Sequence, residues 1–67
     1  MIAVEVLYAN GTHAWIGHFG NIASARQSML DHARLTDLPS EDPWHGPDIG
    51  VLEGWFVGRD EYLLRQK

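Results

Sequence analysis

The chain contains no cysteine, which excludes disulfide staples and thiolate metal ligands and points to a reducing, cytoplasmic compartment rather than a small secreted scaffold. Basic residues are also scarce: five Lys and Arg stand against nine Asp and Glu, for a formal net charge of −4. That balance argues against a nonspecific binder of nucleic acid or anionic membrane, both of which need clustered cations. No apolar run approaches the roughly 20 residues of a membrane span. The N-terminus also lacks the basic start of a signal peptide.

What remains is a globular composition, with 45% apolar residues and seven aromatics in 67 residues. A chain of this length is read as one domain, residues 1–67, that buries only roughly 60% of its unfolded surface.

Residues 2–9 and 12–19 flank Asn10-Gly11, a dipeptide suited to the positive φ angles of a two-residue type I′ turn. The expected hairpin opposes Ala9 to Thr12, Val6 to Trp15, Val4 to Gly17 and Ile2 to Phe19. On that register Ile2, Val4, Val6, Tyr8, Trp15 and Phe19 face the core, with Gly17 among them as a place of close backbone approach. The other face carries Ala3, Glu5, Leu7, Thr12, Ala14, Ile16 and His18. It is apolar enough to require a cover or a partner, including a second copy of the chain.

Asn21 is an N-cap for a helix over about 22–35, whose inner face is Ile22, Ala25, Met29 and Ala33. Residues 36–48 hold all three prolines, so neither helix nor internal strand crosses them. Residues 49–57 read as a third strand, and residues after Gly58 as a fourth strand or a short helix, with the strand favoured. The fold class is therefore α+β: a small antiparallel sheet with one helix packed on one face.

No catalytic constellation, cofactor motif or metal site is expected. His13 and His18 have opposite parity on one strand and should point to opposite faces, and no histidine spacing follows a zinc pattern. Ser24, Ser28 and Ser40 lack a nucleophile context. Glycines form no phosphate-binding motif. The chain reads as a binding protein rather than an enzyme.

Charge distribution supplies the candidate site. Between Arg34 and Arg59 there is no Lys or Arg, while Asp37, Glu41, Asp42, Asp48 and Glu53 give that stretch a formal charge of −5. Trp44 lies among them, either as a partner-binding anchor or as a plug on the core. The candidate partner-binding residues are thus Asp37, Glu41, Asp42, Trp44, Asp48 and Glu53.

The run from Trp15 to Ala33, with Trp15, Gly17, Phe19, Ala25 and Ala33, resembles the last strand and helix of the three-stranded DNA-binding fold of plant AP2 domains and phage integrase arm-binding domains. That resemblance implies a sheet-and-helix fold, and a nucleic-acid-binding role for Arg26, Arg34, Arg59, Arg65 and Lys67. In size, acidity and lack of cysteine the chain is also similar to small inhibitors encoded by phages and mobile elements, including anti-CRISPR proteins. The second resemblance implies a protein partner with a basic nucleic-acid-binding surface, such as a CRISPR effector complex in a bacterial cytoplasm. There the acidic stretch would take the place of a phosphate backbone.

Overall fold

The computed structural model describes residues 1–39 and 50–67. Four strands and one helix follow in the order β1 (Ile2–Leu7), β2 (His13–Phe19), α1 (Ile22–Ala33), β3 (Val51–Val57) and β4 (Asp60–Gln66). The strands form one antiparallel sheet in the order β2-β1-β4-β3. The helix packs on one face, giving the expected α+β class, and the last segment is a strand. The terminal strands β1 and β4 lie at the centre, and Lys67 N–H donates to the Met1 carbonyl at 2.8 Å.

The first hairpin departs from the expected turn. Gly11 N–H donates to the Tyr8 carbonyl at 3.0 Å, Tyr8 N–H donates to Thr12 at 2.8 Å, and Gly11 alone in the turn has a positive φ, +90°. This is a three-residue loop, a type I turn closed by a glycine bulge, rather than a type I′ pair. Asn10 is not at positive φ, and its Oδ1 accepts from Thr12 N–H at 3.0 Å and from Thr12 Oγ1 at 2.6 Å.

The longer loop shifts the pairing by one residue, so Leu7 opposes His13, Val6 opposes Ala14 and Glu5 opposes Trp15. A bulge at Ile16 then restores the expected register, with Val4 opposite Gly17 and Ile2 opposite Phe19. An extra residue in one strand reverses the parity of what precedes it. Trp15 is thereby turned off the core face and is 48% exposed, while Ala14 and Ile16 pack against the core. The same reversal puts His13 and His18 on one face, since their partners Leu7 and Ala3 share parity. Those partners are four residues apart, about 13 Å along a strand.

The core lies between the sheet and α1. Ile2, Val4 and Val6 of β1, Tyr62 and Leu64 of β4 and Trp55 of β3 meet Ala25, Met29 and Leu30 of the helix. Among the described residues no backbone fills the space over Gly17; a Cβ there would meet the Phe19 ring at 3.3 Å. The second hairpin joins Val57 to Asp60 through Gly58-Arg59, with positive φ at Gly58 only, the pattern of a type II′ turn.

Asn21 caps α1 as expected, its Oδ1 accepting from Ser24 N–H at 2.8 Å. At the other end Arg34 is left-handed (φ 60°, ψ 42°), and its N–H reaches the Asp31 and Leu30 carbonyls. Leu35 N–H reaches Leu30 at 2.9 Å, completing a Schellman motif. A side chain in that conformation costs roughly 1–2 kcal/mol, partly offset by glycine's greater unfolded-state freedom. Arg34→Gly should therefore raise the unfolding free energy by up to about 1 kcal/mol in urea titration. A loss of stability would mean that the arginine side chain contributes more than its backbone costs.

Candidate interaction surface

Opposite the helix, paired positions fall into three rows across β2, β1, β4 and β3. They read His18–Ala3–Arg65–Val51, Trp15–Glu5–Leu63–Gly54 and His13–Leu7–Glu61–Phe56. The centre of this face is closed: Ala3 is 0%, Leu63 3% and Glu5 6% exposed. Its edge strands carry accessible aromatics, Trp15 on one and Phe56 on the other, each about half exposed, with His13 and His18 also exposed beside Trp15. Lys67 places its ammonium 4.6 Å from the centre of the Trp15 ring, a cation–π contact.

Glu5 is the charged centre of this face. Arg65 Nε donates to its Oε1 at 3.0 Å, and His13 Nδ1 lies 2.9 Å from its Oε2. Arg65 and His13 both reach inward from more exposed positions, and Arg65 supplies the cation that a buried carboxylate requires. The hairpin's apolar back patch of Leu7, Ala14 and Ile16 is therefore not formed, because Ala14 and Ile16 lie on the helix side. The fourth strand does not cover that face but extends the sheet beside β1.

A second polar cluster ties the helix to the sheet. Glu53 accepts from Arg26 Nε at 2.8 Å and from Trp55 Nε1 at 3.0 Å, and Arg26 also binds its second oxygen. The Glu53 carboxylate raises the Arg26 pKa above its ordinary value, chiefly through the hydrogen bond and against the opposing effect of burial. Nearby, His32 Nδ1 lies 2.7 Å from the Tyr62 hydroxyl, with the rings edge to face at 5.7 Å. Burial raises the Tyr62 pKa, and Tyr8 and Asp60 add to the rise.

The acidic candidates separate accordingly. Asp37 is exposed, just beyond the end of α1. Glu41, Asp42, Trp44 and Asp48 lie outside the described residues. Glu53 is turned inward onto Arg26 and Trp55, with its side chain 11% exposed, so it is a tie between helix and sheet and not part of an outward acidic surface. It pairs with Leu64 and so shares the face that carries α1.

The five cations do not share one surface. Arg59 sits in the turn before β4 and Lys67 follows its other end, about 20 Å or more apart along a strand, while Arg26 and Arg65 are engaged by Glu53 and Glu5.

Among the described residues no pocket opens, no group of three or more His, Asp or Glu is placed to hold a metal ion, and no helix is long and apolar enough to cross a membrane. Comparison with protein-family models, with curated proteins and with solved structures returns no match.

Proposed function

We propose that the protein is a small acidic binding module that occupies a basic, nucleic-acid-binding surface on another protein assembly, in the manner of an inhibitor of a CRISPR effector complex. One observation carries this reading. The five Lys and Arg residues are matched in number by Glu5, Asp31, Glu53, Asp60 and Glu61, so the whole net charge of −4 equals the four carboxylates Asp37, Glu41, Asp42 and Asp48. Two of the matched pairs, Arg65–Glu5 and Arg26–Glu53, are ion pairs within the fold.

The connection between α1 and β3 thus carries four carboxylates and, beyond Arg34 at the helix end, no Lys or Arg. Such concentrated charge accelerates encounter with a basic surface and fixes its orientation, while apolar groups hold the complex. Trp44 is one candidate anchor within the stretch. The half-exposed Trp15 and Phe56 offer others.

The test is affinity for a purified effector complex as a function of salt. The unaltered protein should bind and weaken as salt rises, because surface attraction is screened. Glu41→Lys with Asp42→Lys should reduce affinity by at least about tenfold, equivalent to roughly 1.4 kcal/mol, and flatten the salt dependence. Unchanged affinity in that variant, with binding lost in Trp15→Ala instead, would replace the acidic stretch by the sheet rim. Retention of DNA or RNA by the isolated protein would favour the nucleic-acid-binding alternative.

A further inference from the structure

We infer that Asn10 is a site of spontaneous modification, converting to aspartate and isoaspartate through a succinimide, and that Thr12 promotes the conversion. The chain has two asparagines, Asn10 and Asn21, in contrasting settings. Asn10 is exposed and precedes Gly11, whose peptide nitrogen carries no neighbouring side chain to hinder its approach to the Asn10 side-chain carbon. Asn21 precedes Ile22, a β-branched residue that crowds the corresponding nitrogen, and Ile22 is fixed in the first turn of α1.

The geometry around the Asn10 side chain adds to this difference. Its carbonyl oxygen accepts two hydrogen bonds from one residue, Thr12 N–H at 3.0 Å and Thr12 Oγ1 at 2.6 Å. The backbone N–H can only donate, which places the oxygen and not the amide nitrogen of Asn10 on that side. Two donors on one carbonyl oxygen polarise the carbon and stabilise the negative charge that collects on the oxygen when a nucleophile adds.

In the reaction, base removes the Gly11 N–H proton, releasing its bond to the Tyr8 carbonyl, and the nitrogen adds to the Asn10 side-chain carbon. The bond from that carbon to the amide nitrogen then breaks, and the nitrogen leaves as ammonia with a proton. Water opens the ring at either carbonyl, giving aspartate or isoaspartate.

Either product adds a carboxylate near Asp60, whose Oδ1 accepts from Ala9 N–H at 3.0 Å. The isoaspartyl product also routes the main chain through the side-chain carbon. A longer connection no longer fits the three-residue turn that sets the register of β1 against β2.

The experiment incubates the purified chain at mildly alkaline pH and follows both asparagines by peptide mass mapping, with isoaspartate labelled by its repair methyltransferase. Parallel samples are held unfolded in urea, and a Thr12→Val variant keeps the N–H donor but loses the hydroxyl. Conversion should be confined to Asn10, at least as fast folded as in urea. It should be slower by about tenfold in Thr12→Val, a smaller effect than at buried oxyanion sites because this turn lies in water. Faster conversion in urea than in the folded chain, equal rates at Asn10 and Asn21, or an unchanged or higher rate in Thr12→Val would overturn the inference. Thr12 is exposed, and an unchanged circular dichroism spectrum establishes that the variant is folded.

Discussion

Trp55→Ala should cost about 3–5 kcal/mol of unfolding free energy, as large-to-small changes in cores do, whereas Trp15→Ala should cost only about 1–2 kcal/mol. The two tryptophans sit in strands of the same sheet, yet one is 6% and the other 48% exposed. Trp55 packs in the core beside the helix and donates its indole N–H to Glu53 at 3.0 Å. Its truncation leaves a cavity and removes a donor from a buried carboxylate. Trp15 keeps about half of its surface in water when folded and loses mainly its contacts over the face centre and with Lys67. Urea titration of both variants measures the difference. Equal costs, or a larger cost at Trp15, would contradict the three-residue loop with its bulge at Ile16, because in the register of a two-residue loop Trp15 opposes Val6 and lies on the helix side.

That bulge marks where the sequence stops predicting the fold. Alternation in residues 2–9 and 12–19, the Asn21 cap and the three-and-four spacing of Ile22, Ala25 and Met29 are local signals, and each leads to the observed element. The two ends of the hairpin register, Ile2 with Phe19 and Val4 with Gly17, also follow from them. Asn10-Gly11 is compatible with two turn types that differ by one residue, and in the one adopted Thr12 donates two hydrogen bonds to the Asn10 side chain. A one-residue shift moves every side chain in a strand to the other face. The bulge at Ile16 confines that effect to residues 13–16, which reverses the expected placement of Ala14, Trp15 and Ile16 and brings His13 onto the face of His18.

The candidate site is legible to a different degree. Charge along the chain locates the uncompensated acidic stretch without reference to the fold, since net charge depends on composition alone. Whether a given carboxylate faces outward depends on what lies across from it, and for Glu53 the partner is Arg26, 27 positions away. No short-range pattern predicts such a pair. The sequence does carry a related trace: Arg26 interrupts an otherwise uncharged stretch of α1 from Ile22 to Leu30, and a cation beside a buried helical face is placed to reach a carboxylate on the sheet beneath.

Glu53 and Asp37, equal in formal charge, should accordingly respond in opposite ways to reversal. Glu53→Lys sets a second cation against Arg26 at a position that is 9% exposed, and it removes the acceptor of the Trp55 indole. Breaking a fully buried ion pair by changing one partner costs about 3–5 kcal/mol. With the Arg26 side chain 38% exposed the loss here is smaller, but burying a new cation without a partner adds to it, and 67 residues support a total stability of only roughly 3–10 kcal/mol. The variant should therefore be largely unfolded or close to it, with loss of the near-ultraviolet signal of Trp55. Glu53→Gln keeps the size and an acceptor oxygen but not the charge, and should cost about 1–3 kcal/mol, leaving a folded protein in which the loss can be measured. Asp37→Lys, at an exposed position, should change stability by no more than about 0.5 kcal/mol while weakening any partner that reads the acidic stretch. If Glu53→Lys proved as stable as Asp37→Lys, the tie between helix and sheet would carry no energetic weight.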